Sequence, residues 1–356
     1  MTLALENVTK TVGGETHIDG VSLALQRGTL NVLLGPTLSG KTTLMRLMAG
    51  LDTPTSGRVL VDGRDVTGLH VRRRSVAMVY QQFINYPSLT VYENIASPLR
   101  VAGRPKAEID QKVRWAAGLL KLDRFLDRLP LQLSGGQQQR CAMARALVKG
   151  ADLVLLDEPL ANLDYKLREE LREELPKIFE ASGAIFVYAT TEPAEALLLG
   201  GNTAALSQGR LAQFGPTPEV YRRPVSLTSA HTFSDPPLNT LAVEKRGGDI
   251  RLPDGATLPA AGVLARLADG RYTAGFRAHQ VHLDPTRDGI RVEGRVSVTE
   301  ITGSESFIHV DGACGQWVLV TRGVRDVEPG ASIPMFIDPH AVFVFENDGR
   351  LAAAPA

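Results

Sequence analysis

The sequence predicts an α/β domain built on a mostly parallel sheet, followed by a small all-β domain. Up to about residue 225, short apolar runs such as Leu30–Leu34, Leu153–Leu156 and Ala184–Val187 alternate with longer helical patterns. Continuous apolar runs bounded by glycine or polar residues suit strands buried on both faces, the situation of a parallel sheet covered by helices. The composition then changes. Asp235-Pro236-Pro237 breaks any element, and beyond it come short β-rich stretches punctuated by glycine, such as Gly294–Thr299 and Phe307–Val310. A boundary near residue 235 is therefore expected, with 1–235 as the first domain and 236–356 as the second, since domains run to roughly 150 residues.

Composition narrows the function before any motif is read. Lys+Arg and Asp+Glu both count 39, so the formal net charge is zero, against a chain that coats nucleic acid or anionic lipid through clustered cations. Hydrophobic residues at 44% and charged residues at 22% are ordinary globular usage and exclude a disordered chain. No apolar run approaches the roughly 18 residues that would span a bilayer, and the opening MTLALENVTK lacks the basic and apolar regions of a secretory signal. Cys141 and Cys314 are isolated, which fits a reducing compartment and no metal knuckle.

The first element with chemistry follows the run Leu30–Leu34. Gly35-Pro36-Thr37-Leu38-Ser39-Gly40-Lys41-Thr42 matches G-x-x-x-x-G-K-[ST] and precedes the helical pattern Thr43–Ala49. Strand, loop and helix in that order form a phosphate loop. Its glycines let backbone N–H groups curl around phosphate oxygens, and the helix adds the positive end of its dipole. Lys41 is expected to reach the β- and γ-phosphates and the Thr42 hydroxyl to ligate Mg²⁺.

Next comes Leu133-Ser134-Gly135-Gly136-Gln137-Gln138-Gln139-Arg140, in which Ser134 can cap a helix where Cys141, Ala144, Leu147 and Val148 recur at helical spacing. Gly135 and Gly136 leave backbone N–H groups bare for a γ-phosphate. The run Leu153-Val154-Leu155-Leu156 then ends in Asp157-Glu158-Pro159. An Asp-Glu pair at a strand end is commonly a solvated exit. Placed after a phosphate loop, its first carboxylate suits Mg²⁺ and its second a water to be activated. Thr217-Pro218-Glu219 reads as an N-cap, a first-turn proline and a first-turn acid of a later helix.

These motifs in this order resemble the ATP-binding subunits of ATP-binding-cassette (ABC) transporters, whose signature is LSGGQ. The resemblance implies a phosphate-loop ATPase core with a helical subdomain at about residues 85–150, and ATP with Mg²⁺ as its ligands. It implies that Gly35 through Thr43 bind ATP, that Glu158 is the base, and that Thr42, Gln81 and Asp157 hold the metal. Ser134, Gly135, Gly136 and Gln137 would complete the site of an opposing subunit, so that two subunits close over two ATPs. Val79-Tyr80-Gln81 resembles the Q-loop, Ser88–Ile95 the stretch that docks a permease coupling helix, and Ala161-Asn162-Leu163-Asp164 the D-loop.

Gly275-Phe276-Arg277, Thr299–Val310 and Phe336-Ile337-Asp338-Pro339 resemble the OB-like, TOBE-type C-terminal domain of the carbohydrate-uptake branch, which includes maltose-type and glycerol-phosphate-type importers. An OB-like barrel can instead bind nucleic acid, but residues 236–356 carry a net charge of −3 and no basic stripe. Within the branch, Val79-Tyr80-Gln81-Gln82-Phe83-Ile84-Asn85-Tyr86-Pro87 looks most like the ATPase subunits of glycerol-type uptake systems. The partners so implied are a second ATPase subunit, two transmembrane permease subunits and, indirectly, a periplasmic substrate-binding protein, at the cytoplasmic face of a bacterial inner membrane.

Two positions depart from the family pattern. Aligning Glu195-Ala196 with the family's H-loop puts Thr191 where a switch histidine normally sits, and no histidine lies between residues 71 and 230. Its hydroxyl can hydrogen-bond, but it is shorter than imidazole and does not titrate near neutrality. The family also stacks an aromatic ring on adenine from the position of Val12, yet residues 1–79 contain no Phe, Trp or Tyr, and His17 is the nearby ring. Both losses fall in the site built on this chain's own Lys41 and Glu158, while the signature is intact. The expectation is a pairing with a different, more complete ATPase subunit. A soluble cassette acting in translation or DNA repair usually carries two cassettes or long coiled coils, which this chain lacks. A regulatory module with vestigial hydrolysis is the remaining alternative.

Overall fold

A computed structural model describes residues 1–82, 84–161, 163–286, 288–312 and 315–355, apart from the side chains of Glu180 and Ala181. Phe83, Asn162 and Cys314, each named above, lie outside the described residues. The chain falls into two compact units, Met1–Thr217 and Pro218–Ala356.

In the first unit the strands are β1 (Thr2–Val12), β2 (Glu15–Gln26), β3 (Leu30–Leu34), β4 (Ser56–Val61), β5 (Arg64–Asp65), β6 (Val76–Val79), β7 (Leu153–Asp157), β8 (Ile185–Thr190), β9 (Asn202–Ser207) and β10 (Arg210–Pro216). The helices are α1 (Lys41–Ala49), α2 (Val91–Val101), α3 (Lys106–Leu119), α4 (Gly135–Val148), α5 (Tyr165–Ser182) and α6 (Pro193–Leu199). Six strands form one sheet in the order β10-β9-β3-β8-β7-β6. Every pairing in it is parallel except β10 with β9. The three apolar runs of the sequence are its centre: β3, β7 and β8 are buried at every position, as a sheet covered on both faces requires. A smaller antiparallel sheet, β2-β1-β4-β5, packs Leu3, Leu5, Val8, Ile18 and Val21 into the same core as α1 and the central strands.

Between β6 and β7 the chain leaves the sheet for α2, α3 and α4. Each start is fixed locally. Thr90 and Glu93 form a capping box at α2, and Ser134 and Gln137 form one at α4, each satisfying two N–H groups left open at a helix end. Buried Asn94 on α2 bonds the main chain of Tyr86, Leu89 and Thr90, which ties the loop before the helix to its first turns. Cys141 is fully buried in α4 and burial pushes its thiol up to about 12, so it stays a thiol and packs as a small apolar group.

The second unit begins at the second residue of α7 (Thr217–Arg222), includes α8 (Leu227–Thr232) and continues in strands β11 (Asn239–Arg246), β12 (Asp249–Arg251), β13 (Thr257–Pro259), β14 (Gly270–Phe276), β15 (Val281–His282), β16 (Ile290–Ile301), β17 (Glu305–Gly312), β18 (Gly315–Arg322), β19 (Ser332–Ile337), β20 (Phe343–Phe345) and β21 (Leu351–Ala353). They make two antiparallel sheets, β13-β12-β11-β14-β20-β21 and β15-β19-β16-β17-β18, around a core that includes Phe276, Ile308, Trp317 and Val344.

The units divide between Thr217 and Pro218, ahead of the Asp235-Pro236-Pro237 break. The reason is that the helical segment before the prolines makes its contacts with the β domain. Leu227 N donates to Gly349 O at 2.8 Å and Leu351 N to Val225 O at 3.1 Å. Ala230 packs with Leu238, Phe343 and Phe345, and the Arg277 guanidinium lies 3.7 Å from the Tyr221 ring centre. A proline pair marks where the chain cannot be regular, not where its packing changes partners. Thr217 itself is buried, with its hydroxyl bonded to Thr203 and to the carbonyls of Gly200 and Gly201.

Candidate active site

The C-terminal ends of β3, β8 and β7 lie side by side, and the peptides that leave them are cross-linked. Gly35 N donates to Thr190 O at 3.4 Å and Glu158 N to Ala189 O at 3.1 Å. The loop after β3 turns into α1 through Gly40, whose φ of 100° is open to glycine alone at low cost. A β-carbon there would also meet Ile18 Cδ1 at 2.7 Å and His17 O at 2.9 Å. Gly40→Ala is therefore expected to cost about 1–3 kcal/mol in backbone strain and to weaken ATP binding with it. Thermal melting and ATP titration of the same preparation check this, and an unchanged melt would refute it.

Lys41 follows at once, six per cent exposed, with Nζ donating to Gly35 O at 2.7 Å and Pro36 O at 3.1 Å and lying 3.9 Å from Glu158 Oε1. Thr42 Oγ1 donates to Asp157 Oδ2 at 2.7 Å. From the end of β6, Gln81 Nε2 donates to Glu158 Oε2 at 2.9 Å. A cleft of about 530 Å³ joins Lys41, Thr42, Gln81 and Glu158, with Asp157 behind its lining, and is within the range of small-ligand sites. Its walls are Glu15–His17 of β2, Thr37, Leu38, Gly40, Lys41, Thr42 and Thr43, with Gln81, Glu158, Gln208 and Gly209. Gly35, Pro36 and Ser39 shape the loop without lining the cleft; Ser39 O takes Gly209 N at 3.1 Å and its N donates to Pro36 O at 3.1 Å.

The electrostatics run in one direction. Burial lowers the pKa of Lys41, while Glu158 and Asp157 oppose that. Burial raises the Asp157 carboxyl against its Thr42 bond and Lys41. Burial also raises Glu158, helped by Asp157, Glu195 and Glu192 and opposed by Lys41. The pocket thus holds more buried negative charge than one lysine neutralises. The Thr42 hydroxyl beside the Asp157 carboxylate offers hard oxygen donors, a donor set that fits a divalent cation such as Mg²⁺ sharing phosphate oxygens and water. Glu158 sits at φ 47°, in the left-handed region that non-glycine residues keep only under tight constraint.

The remaining predicted residues are not all in the cleft. Val12 ends β1 at the Gly13-Gly14 turn, half exposed, and does not line the cleft, which receives His17 instead. Thr191 follows β8, exposed and outside the lining. Ser134, Gly135, Gly136 and Gln137 also lie outside it, presented at the start of α4. Asp164 caps α5, accepting Leu167 N at 3.0 Å. Sequence reasoning passed over Gln208 and Gly209, and used Glu195, which is buried, only to align the H-loop. Glu195 takes Thr190 Oγ1 at 2.7 Å, Tyr188 OH at 3.0 Å and Arg172 at 3.3 Å, which anchors the end of β8 just before Thr191.

The chain's likeness to known proteins agrees with this geometry. The ABC transporter family matches residues 18–161 and the TOBE domain matches residues 274–345. An sn-glycerol-3-phosphate import ATP-binding protein UgpC from Cupriavidus pinatubonensis is 36% identical, over 97% of this chain and 97% of that protein. Proteins of the same name from Brucella suis and Rhizobium meliloti are 37% and 38% identical, covering 98% and 88% of this chain and 98% and 89% of theirs. Among solved structures, the ATP-binding cassette MJ0796, a dimer in a post-hydrolysis state with ADP and Pi, superposes with a TM-score of 0.56 at 32% identity, over 60% of this chain and 98% of that one. A phosphate loop, an Asp-Glu strand end and a capped LSGGQ helix, matched to these relatives over nearly the whole length, place the chain in the family of ABC transporter ATP-binding subunits.

Proposed function

We propose that this ATPase powers uptake of a small carbohydrate or polyol, with glycerol or its phosphate ester as the substrate class. The near full-length match to sn-glycerol-3-phosphate import ATP-binding proteins carries the reading. Deleting the gene should abolish uptake of radiolabelled glycerol or glycerol 3-phosphate, and unchanged uptake of both would refute the substrate class.

As an ABC transporter ATPase the chain works with transmembrane permease subunits. No helix among the described residues is long and apolar enough to cross a membrane. The chain would then sit peripherally on the cytoplasmic face of the inner membrane, with a periplasmic binding protein delivering substrate to the permeases. A groove of about 550 Å³, lined by Met78, Tyr80, Tyr86, Leu89, Val101 and Arg145 among others, supports docking of a permease segment beside Ser88–Ile95.

Two cassettes would close over two ATPs, Ser134–Gln137 of each completing the site of the other. The exposure of the signature away from its own cleft supports this, as does the dimeric form of MJ0796. The comparisons lend no support to a non-identical second ATPase subunit. The ground for one is Thr191 with Val12, and we take two copies of this chain as the arrangement.

In the closed site the phosphate loop and Lys41 would hold the phosphates. Thr42, Asp157 and Gln81 would hold Mg²⁺, which when bound offsets phosphate charge. Glu158 would take the proton of the attacking water, with Gln81 fixing its carboxylate. Thr191 offers a short hydroxyl where an imidazole would reach further. Because one well-placed donor is worth on the order of 10²–10³ in rate, Thr191→His is expected to raise ATP turnover of the isolated transporter about tenfold or more. Equal rates for both chains would mean that the present arrangement already supplies the missing contact.

A further inference from the structure

Gln139 lies on α4, two residues beyond the signature, and is fully buried. Its Nε2 donates to the main-chain oxygen of Glu158 at 3.3 Å, and its Oε1 is buried without a partner. A half-satisfied amide in the interior is unfavourable, and an apolar side chain of the same length would avoid it. The amide sits where it acts on one particular peptide. That peptide belongs to Glu158, whose left-handed backbone persists only because its surroundings over-determine it.

Four bonds do so. Ala189 O on β8 takes the Glu158 N–H at 3.1 Å, Gln81 holds the carboxylate at 2.9 Å, and the carbonyl accepts from Gln139 at 3.3 Å and, within the turn that follows, from Ala161 N at 3.4 Å. The Gln139 bond comes from the helix that presents the signature. The same helix is joined to the loop after β6: Asn85 Nδ2 donates to Gln138 O at 2.9 Å, and the Arg145 guanidinium lies 5.0 Å from the Tyr86 ring centre. Adjacent residues of α4 therefore bond the loop that follows Gln81 and the peptide that carries the base.

We infer that Gln139 is a positioning residue for Glu158, coupling the seating of the signature helix to the direction of the catalytic carboxylate. The inference rests on the assignment of Glu158 as the base. Without the Gln139 donor, the Glu158 carbonyl keeps only the longer bond from Ala161 N, and the carboxylate samples directions away from the attacking water. ATP binding, which depends on the phosphate loop, is untouched.

The test is steady-state ATP turnover of the transporter purified through this chain, with Gln139→Met, Glu158→Gln and the double variant. Gln139→Met is expected to lower kcat roughly ten- to thirtyfold with KM for ATP and the melting temperature unchanged, because methionine keeps the length and removes only the amide. The double variant should turn over no more slowly than Glu158→Gln alone, since the two residues act through one carboxylate. Gln139→Met at the parent rate, with Glu158→Gln inactive, would overturn this inference alone. So would a loss of equal size in both backgrounds, or a loss that follows a lowered melting temperature. Glu158→Gln at the parent rate would overturn the base assignment and this inference with it.

Discussion

Replacing Lys41 by methionine should weaken ATP binding by this chain about 10²- to 10³-fold and abolish the rise in melting temperature that ATP confers. The size follows from the geometry. Lys41 is a buried cation between two carboxylates, with two carbonyl oxygens as its bonding partners. Triphosphate brings several negative charges to the same spot, and removing one partner of such a desolvated contact costs about 2–5 kcal/mol, at 1.4 kcal/mol per tenfold in affinity. Nucleotide-free stability should change far less. Methionine relieves the burial cost of the ammonium while giving up its two bonds to the loop, and these effects oppose each other. The check is a melting curve with and without ATP. At a ligand concentration of ~100 times Kd the parent gains about 2.7 kcal/mol from binding, and the variant at that concentration should gain almost none. A variant that still melts higher with ATP, by the parent's margin, would mean that the phosphates are held elsewhere in the cleft.

What the sequence discloses about this site is what the backbone must do locally. A loop that doubles back through Gly40 between an apolar strand and a helix can be read from residue types, because few other sequences permit that turn. The Asp157-Glu158 pair at the end of an all-buried run and the Ser134 cap are equally local, and the structure contains both, with Gln137 completing a capping box. Contacts set by packing over distance were not legible. The bond between Gln139 and Glu158 depends on how α4 lies against the sheet, and the Arg172–Glu195 pair joins the helices that precede and follow β8 in the chain.

Val12 stands outside the cleft lining for a related reason. Counting along the chain gives the position, but the Gly13-Gly14 turn, with both φ values positive, pairs Val12 with Glu15 and leaves it at the hairpin tip. In β2 Ile18 is fully buried in the core, so alternation puts its neighbour His17 on the other face, where it lines the cleft. The compact units part at Thr217–Pro218 and not near residue 235 because α7 and α8 continue the α/β pattern in sequence, while their packing groups them with the β unit.

Glu158→Gln should cut ATP turnover by about 10²- to 10⁴-fold, the usual worth of a positioned general base, while ATP affinity is retained or tightened. Glutamine keeps the shape of the side chain and its place beside Gln81, and it leaves Lys41 with one carboxylate fewer to share with the phosphates. The parent enzyme should also show the chemistry of this carboxylate in its pH profile. A base works only when ionised, and burial with the charges of Asp157, Glu195 and Glu192 holds Glu158 above the ordinary glutamate range. Its activity is therefore present above that raised pKa and lost as pH falls through it, at a higher pH than an unperturbed glutamate would give. Neutralising one contributor without touching the cleft, as in Glu192→Gln, removes a like charge and should move the acidic limb to lower pH. An acidic limb that moves up instead, or stays fixed in Glu192→Gln and is retained in Glu158→Gln, would assign the titrating group elsewhere. A transporter carrying Glu158→Gln in this chain that keeps half of its turnover would locate the surviving hydrolysis in a second, different cassette and restore the asymmetric pairing that Thr191 first suggested.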